Sequence, residues 1–407
     1  MEHVFASIDI GSDSIKVIVC ELYHGRIFLL AGSNVPSSGI KKGLIIDADK
    51  AKESIENALR EAESMLGMKI KKVICTVPSH FLNYKVIAGS CRVSGKLVTG
   101  EDMVNSYKDG IKKNLSINDE FVCAIPVDFK LDGKTVLESP QNYPCDVLEG
   151  RAMMISCPKK NIYSVATIIE EIGVELVDVS VSSVSMMSAL KNERLLSDMS
   201  AIINIGADMT ELAIYKRGIP AITKIIGIGG NDIDREISSN FRLTLKDARK
   251  IKEEFGVSYL PHASKSDYMK FQNKASKEIK ITQAEVSKII SSKIEEILNL
   301  AKDELKSLTK QKLKYIMVTG GVSNTSDFEY TLKKILPISH IGKVNLVGVR
   351  SNDTTVAIGN IIYFSDMLKL KGKDYSMFSE NEMDMLSSPN DNSNTVLGKV
   401  FSYFFGE

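Results

Sequence analysis

The sequence predicts an α/β protein built from two related halves that face each other. The first observation is a segment that occurs twice, as ASIDIGSDSIK at residues 6–16 and as AIINIGADMTE at residues 201–211. In each copy an apolar strand reaches a polar turn with one glycine, and a second strand with alternating side chains follows. The second observation is that both copies continue alike, with a glycine turn, a third apolar run and a helix. A duplication of this kind favours a cleft between the halves.

The glycine of each turn indicates a loop that binds an anion. Gly11 and Gly206 have no Cβ, so backbone amides can approach a phosphate chain closely. Asp9 stands just before the first turn, where a carboxylate can hold a hydrated Mg²⁺, because this ion prefers oxygen ligands and retains its waters. Lys16 can neutralise the phosphates. A single Asp-x-Gly turn is mostly structural, but two copies in equivalent settings favour a nucleotide site.

The composition indicates a soluble, cytosolic protein. A chain of 407 residues is long enough for two or more domains. Lys plus Arg (52) nearly balances Asp plus Glu (51), so no attraction to nucleic acid is expected. The six cysteines form no CxxC pair and the five histidines have no HExxH spacing, so reduced core thiols and no zinc site are expected. The amino terminus lacks the pattern of a signal peptide, and secretion is not expected.

The first half is predicted to alternate strands and helices. Strands reach Val35, a helix with apolar residues at helical spacing covers about 48–66, and Gly67 caps it. A buried strand covers 73–77. From 81 to 157 the pattern changes to short strands around one helix, which predicts an inserted subdomain.

The second half begins near Ser200 and repeats the order of elements. Thr282 and Glu285 form a capping box for a long amphipathic helix that runs to about Leu305. A strand at 315–318 then leads into the turn Gly320-Gly321, where the backbone can approach a nucleotide. A closing apolar helix ends the core near residue 368.

The last residues differ from the core in composition. Residues 371–394 are polar without sustained periodicity, so a flexible linker is expected. The terminal segment 395–407 has an apolar helical face made of Val396, Leu397, Val400, Phe401, Phe404 and Phe405. At about 1.5 Å per residue this helix spans roughly 20 Å, too short to cross a bilayer but suited to its interface. The alternative is an element that docks onto its own core. With one lysine, Lys399, a single tail is expected to bind anionic lipid weakly, and many tails presented together would add avidity.

These motifs together resemble the actin and sugar-kinase superfold, and within it the FtsA family of actin-like bacterial cell-division proteins. Residues 9–12 with Lys16 resemble the first phosphate motif, residues 204–210 the second, and residues 318–323 the adenosine motif. The stretches that are similar to FtsA in particular are 39–43, 73–78, 229–233 and 247–252. The resemblance covers nearly the whole chain.

The resemblance implies ATP and Mg²⁺ as cofactors, with Asp9 holding the metal through water and Asp9 and Asn204 as the catalytic pair. The cofactor-binding residues that it implies are Gly11, Ser12, Asp13, Ser14, Lys16, Gly206, Ala207, Asp208, Met209, Thr210, Gly229, Gly230, Lys252, Gly320, Gly321 and Val322. Two positions depart from the pattern. Asn204 stands where the second motif has an aspartate, and Arg249 stands where many relatives have a glutamate. Because both changes affect the site without removing its glycines, we expect ATP binding with slow turnover.

The resemblance also implies a domain organisation. The expected parts are a first actin-like subdomain (1–80, 158–198 and 350–370), an inserted FtsA-type subdomain (81–157), a second actin-like subdomain (199–230 and 311–349), an exposed second-half subdomain (231–310), a linker (371–394) and a membrane-targeting helix (395–407). The expected function is a scaffold at the division septum that polymerises on the cytoplasmic face of the membrane. The expected partners are the FtsZ carboxyl-terminal peptide, captured by 231–310, further copies of the chain, membrane lipids and other division proteins.

Two other functions remain open on the same superfold. A small-molecule kinase requires a catalytic carboxylate and a substrate pocket in the cleft. A pilus-assembly or chaperone-type homologue binds peptide partners and lacks a terminal membrane helix. The terminal amphipathic segment has no role in either case, and it favours the FtsA interpretation.

Overall fold

The computed structural model describes residues 3–136, 139–349 and 351–387. The strands in the first half of the chain are β1 (His3–Ile10), β2 (Ser14–Tyr23), β3 (Arg26–Pro36), β4 (Ile40–Lys41), β5 (Leu44–Ile45), β6 (Lys72–Val77), β7 (Asn83–Arg92), β8 (Asp119–Leu131), β9 (Lys134–Val136), β10 (Val147–Pro158) and β11 (Glu175–Val181). Those in the second half are β12 (Met199–Ile205), β13 (Thr210–Lys216), β14 (Ile219–Ile226), β15 (Tyr268–Gln272), β16 (Glu278–Thr282), β17 (Tyr315–Thr319) and β18 (Ser339–Ile341).

The helices pack against these sheets. They are α1 (Ala48–Leu66), α2 (Gly100–Asn114), α3 (Lys159–Glu171), α4 (Ser182–Leu190), α5 (Glu193–Ser197), α6 (Gly230–Phe241), α7 (Leu245–Glu254), α8 (Gln283–Leu308), α9 (Phe328–Ile335), α10 (Thr355–Leu370) and α11 (Glu380–Ser387). Short 3-10 turns occur at Leu260–His262, Gly321–Asn324 and Asn352–Thr354. Within the described ranges, no helix combines the length and the apolar character needed to cross a bilayer.

The first five-stranded sheet has the order β11-β6-β1-β2-β3. Strands β1 and β2 are antiparallel and place Asp9 opposite Lys16, whereas β6 runs parallel to β1. Helix α1 covers this sheet. It begins at the side-chain cap of Asp47 and ends at Gly67, whose φ of 80° suits a residue without Cβ. The core beneath it is apolar, and Phe5, among others, is almost fully buried there.

The second five-stranded sheet has the order β14-β13-β12-β17-β18 and repeats the first. Strands β12 and β13 are antiparallel and place Asn204 opposite Glu211, and β17 runs parallel to β12. The capping box of Thr282 and Glu285 begins α8, as the sequence predicts. The two sheets therefore confirm the predicted duplication.

A separate four-stranded sheet has the order β7-β10-β8-β9 and packs against α2. Helix α2 starts at the capping box formed by Thr99 and Asp102. Its first residue, Gly100, lies against the end of α10, so that a Cβ added there would be 2.3 Å from the carbonyl oxygen of Leu370. The described part of the chain between 81 and 157 thus contacts the helix that closes the core.

The structure differs from the expected linker between residues 371 and 387. The amide of Met377 donates to the carbonyl of Val4 at 3.0 Å, and Met377 and Phe378 are buried in the first core. In α11, Glu382 pairs with Lys71 at 2.8 Å. The reason is that burying a large apolar side chain is worth roughly 1.5–3 kcal/mol, which offsets the ordering of a short polar stretch. The rest of the expected linker and the terminal segment 395–407 lie outside the described residues.

Candidate functional site

A cavity of about 610 Å³ lies between the two sheets, and both glycine turns line it. Its wall includes residues from β1, β2, the start of α6, α7 and the turn after β17. The residues that the sequence predicts for this site and that line the cavity are Asp9, Gly11, Ser12, Asp13, Ser14, Lys16, Asn204, Gly206, Ala207, Asp208, Met209, Gly230, Lys252, Gly320, Gly321 and Val322. The structure therefore brings together residues that lie more than three hundred positions apart in the chain.

The two glycine turns have the same backbone geometry. The amide of Gly11 donates to the Ser14 carbonyl at 3.1 Å, and the amide of Gly206 donates to the Met209 carbonyl at 3.0 Å. A Cβ would lie 2.7 Å from the Ser14 oxygen in the first turn and 3.1 Å from the Met209 oxygen in the second. The first turn thus requires glycine, a Cβ in the second would be tightly packed, and both turns present their backbone to the cavity.

Two of the predicted binding residues lie outside the cavity wall. Thr210 is fully buried, and its hydroxyl donates to the carbonyl of Ile228 at 2.9 Å. Gly229 precedes α6, and a Cβ there would lie 2.5 Å from the carbonyl oxygen of Ala207. Because both residues pack behind the second turn, they support its backbone without lining the cavity.

The turn after β17 contacts the second motif directly. Gly320 has a φ of 93°, and a Cβ there would lie 2.4 Å from the side-chain oxygen of Asn204. Such a conformation favours glycine. Asn204 therefore packs against this turn, and a longer side chain at 320 would displace it.

The carboxylate of Asp9 lies at the inner end of the cavity. Its Oδ1 accepts a hydrogen bond from the hydroxyl of Thr76 at 3.3 Å. Burial raises the pKa of Asp9, the positive charge of Lys16 and the Thr76 hydrogen bond oppose this, and the negative charge of Asp353 adds to it. Lys16 itself donates to the Ser14 hydroxyl at 2.9 Å.

This donor set fits a hydrated divalent cation. The Oδ1 atom of Asp353 is buried and has no hydrogen-bond partner among the described residues. Within that part of the chain, no three His, Cys, Asp or Glu side chains are grouped to ligate a metal directly. The carboxylates of Asp9 and Asp353 both line the cavity, and oxygen ligands of this kind are those that Mg²⁺ prefers.

Arg249 joins the two halves across the cavity. Its Nη2 lies 2.8 Å from Oδ1 of Asp13 in the first turn and donates to Oδ1 of Asn231 at 2.7 Å. Its Nε lies 3.1 Å from Oδ2 of Asp234 on α6. Burial opposes the charge, but Asp13 and Asp234 raise the pKa of Arg249. The residue that departs from the family pattern thus holds the first turn against α6.

Lys252 and Asp208 extend this polar network. Nζ of Lys252 lies 2.6 Å from Oδ1 of Asp234 and donates to the carbonyl of Gly230 at 3.5 Å. Asp208 accepts a hydrogen bond from the side chain of Asn231 at 2.8 Å. The second turn and α7 are therefore tied to the same helix, α6.

Glu211 is the residue that the sequence analysis missed. It lines the cavity, it is 3% exposed, and the hydroxyl of Ser182 donates to its Oε2 at 2.5 Å. Burial raises the pKa of Glu211 to about 7, and hydrogen bonds from Ser182 and Ser79 oppose the rise. The signal was present in the repeat, because Glu211 occupies the position that Lys16 has in the first copy.

The chain is similar in sequence to known proteins. A family model described as cell division protein FtsA matches residues 201–372. Curated proteins named cell division protein FtsA are 29% identical in Streptococcus pneumoniae (over 291 residues, 71% of this chain and 64% of the relative) and 29% identical in Bacillus subtilis (over 268 residues, 65% and 60%). These two matches span less than two thirds of the relatives' own lengths. The Staphylococcus epidermidis protein of the same name is 28% identical over 99% of this chain and 88% of the relative.

Solved structures with a similar fold are more distant in sequence. A PilM-PilN type IV pilus biogenesis complex matches with a TM-score of 0.58 at 14% identity, covering 91% of this chain and 99% of that chain. MreB5 of Spiroplasma citri bound to ADP matches with a TM-score of 0.57 at 15% identity, covering 91% and 98%. The same protein bound to AMPPNP gives a TM-score of 0.55 at 16% identity, covering 90% and 97%. At these identities the likeness shows an actin-like fold.

Proposed function

The chain belongs to the FtsA family of cell-division proteins, and from this premise we propose that it is an ATP-binding scaffold of bacterial division. In this proposal it polymerises like an actin, attaches to the cytoplasmic face of the membrane at the septum, and tethers FtsZ filaments there. The nucleotide site rests on the structure, whereas the membrane, the polymer and FtsZ rest on family membership and on the terminal segment.

The observation that carries the nucleotide site is the pair of glycine turns that line one cavity. Backbone amides of both turns, together with Lys16, suit the anionic oxygens of a triphosphate. The turn at Gly320 and the side chain of Lys252 lie where the nucleoside is expected. A bound Mg²⁺, held through water by Asp9, supplies charge neutralisation for the phosphates. Two solved neighbours of this fold hold ADP and AMPPNP, which supports a nucleotide as the ligand.

The geometry supports slow turnover. Asn204 has an amide, which takes up no proton at neutral pH, at the position opposite Glu211. Arg249 lines the cavity and connects its two sides through the ion pair with Asp13. A site that holds its ligand between two halves and turns it over slowly suits a scaffold that uses ATP to set its polymer state.

Binding of a fluorescent ATP analogue tests the nucleotide site. Replacing Lys16 with alanine removes the cation beside the first turn, and we expect at least tenfold weaker binding in titrations with Mg²⁺ present. Lys250→Ala is the matched control, because Lys250 is exposed on α7 and does not line the cavity. Equal affinity of the Lys16→Ala protein and the control would contradict the proposed site.

Sedimentation with anionic liposomes tests the scaffold. The full chain and a chain that ends at Asn394 are mixed with FtsZ, with and without ATP and Mg²⁺. We expect FtsZ to pellet with vesicles only when the full chain is present, and more so with ATP, since polymers present many tails. If the shortened chain carries FtsZ to the vesicles equally well, the terminal segment is not the anchor. If neither chain reaches the vesicles, the kinase or chaperone-type function is favoured.

A further inference from the structure

Glu211 lines the cavity, and its two carboxylate oxygens differ in their hydrogen-bond partners. Oε2 of Glu211 accepts the hydrogen bond from the Ser182 hydroxyl, whereas Oε1 has no hydrogen-bond partner among the described residues. The side chain is 3% exposed and lines the cavity. A buried oxygen without a partner costs free energy, so its presence in the wall of a ligand cavity points to a ligand contact.

We propose that Glu211 orients the water that attacks the terminal phosphate of bound ATP and accepts its proton, and that Ser182 positions Glu211 for this role. The inference deepens the proposed function and rests on the nucleotide site. In the step, the water oxygen bonds to the γ-phosphorus as the bond from phosphorus to the bridging oxygen breaks, and the bonding electrons leave with ADP. The water proton passes to Oε1 of Glu211, which later returns it to solvent.

Other cavity side chains are less suited to take the proton. Asn204 has no basic atom at neutral pH. Asp9 lies beside Lys16 and is the residue proposed to hold the hydrated cation. Glu253 lines the cavity from the exposed side of α7, and its Oε1 lies 4.0 Å from Nζ of Lys252. Asp353 also has a buried oxygen without a hydrogen-bond partner among the described residues, but its side chain is only half-buried and its other oxygen accepts from Asn34. Glu211 combines an almost fully buried side chain with such an oxygen.

A chain of hydroxyls connects Glu211 to the first half of the molecule. The hydroxyls of Ser79 and Ser182 are 2.6 Å apart, and Ser182 continues the chain to Glu211. Ser79 follows β6 in the first sheet, Ser182 begins α4, and Glu211 belongs to the second sheet. The orientation of the Glu211 carboxylate therefore depends on how the halves sit together.

The charges around Glu211 suit a proton acceptor. Burial raises its pKa to about 7, Asp9 adds to the rise, and the Ser182 hydrogen bond opposes it. The phenols near it, Tyr84 and Tyr215, have pKa values raised by burial and stay neutral. A base works best when its pKa lies close to the working pH, because it is then available and still takes up a proton.

The experiment measures ATP affinity and single-turnover phosphate release from pH 6 to 9 in four variants of the full chain. In the Glu211→Gln protein we expect ATP affinity within about threefold of wild type and release at least a hundredfold slower. In the Ser182→Ala protein we expect roughly tenfold slower release at pH 7 and a midpoint of the pH profile at higher pH, because the hydrogen bond that favours the ionised carboxylate is gone.

Two controls match these variants. Glu254→Gln changes an exposed glutamate on α7 outside the cavity, and Ser188→Ala changes a serine on the same helix as Ser182. We expect wild-type release and pH midpoints in both. A purely structural effect of Ser182 would lower the rate without moving the midpoint.

The outcomes separate the inference from the function on which it rests. If wild type binds ATP but Glu211→Gln releases phosphate at the wild-type rate, the role of Glu211 is overturned and the nucleotide site stands. The same holds if wild type binds ATP without any turnover. If wild type binds no ATP, both the proposed function and this inference are wrong. An unchanged midpoint in Ser182→Ala overturns the positioning role alone.

Discussion

Burial raises the pKa of carboxylates in this cavity, and Glu211 is the clearest example. Its ordinary pKa is 4.5, and in the folded protein it is about 7. The folded state therefore binds the proton more tightly than the unfolded chain, and stability falls as pH rises from about 4.5 to 7. The carboxylate is kept at a cost in stability at neutral pH, which is expected of a group retained for function.

Replacing Glu211 with glutamine removes this dependence. A difference of about 2.5 pH units corresponds to about 3 kcal/mol, so the variant gains up to this much stability over wild type between pH 5 and pH 8. Urea unfolding of both proteins at the two pH values measures the gain. Parallel pH dependences in the two proteins would show that Glu211 has an ordinary pKa.

Arg249 tests whether contacts across the cavity retain the nucleotide. Its replacement by alanine breaks the links to Asp13 and Asn231, and we expect dissociation of a fluorescent ATP analogue to become at least fivefold faster. Arg235→Ala is the control, because Arg235 pairs with Asp232 on the exposed side of α6. The prediction is wrong if both variants release the analogue at the same rate.

At the scale of elements, close backbone contacts fix how the parts join. Gly100 begins α2 and touches the end of α10, and any side chain there would clash with the carbonyl oxygen of Leu370. The contact is possible because glycine carries a hydrogen atom where other residues carry a Cβ. It cannot be recognised in the sequence, because Gly100 looks like an ordinary residue at the start of a helix.

Gly100→Ala is expected to destabilise the protein by about 2 kcal/mol, because backbone atoms must move to accept the Cβ. Thermal unfolding measures the change. Gly95→Ala serves as the control, since a Cβ at Gly95 meets no atom within 4 Å and the residue does not adopt a positive φ. Equal melting temperatures of the two variants would show that α2 and α10 are not in contact.

The elements also show what the sequence could predict. Long periodic helices such as α1 and α8 and the duplicated hairpins were identified, because their patterns extend over many residues. The hairpin of β15 and β16 was not predicted, since each strand has five residues and only Met269, Phe271, Ile279 and Ile281 mark its buried face. Helix α11 and the segment before it were missed, because the helix pairs with the distant Lys71 and Met377 bonds to the distant Val4.

At the scale of the whole molecule, the duplication creates a cavity whose two walls are similar in backbone and different in charge. The same register position is Lys16 on one wall and Glu211 on the other. Motifs predicted the backbone of both walls, since glycine turns are visible in sequence. The side chains that cross between the walls, Arg249 to Asp13 and Ser79 to Ser182, could not be predicted, because they depend on how the halves sit together.

The docked segment near Lys71 also sets a distance. The ion pair of Lys71 and Glu382 fixes α11 to the first half. Only about seven residues separate the end of α11 from the amphipathic segment that starts at 395, and a chain of that length spans at most about 25 Å. If the proposed membrane attachment holds, the end of α11 stays within about 25 Å of the lipid surface. Under the proposed function, one ion pair and two buried side chains would then limit the height of a tethered filament above the bilayer.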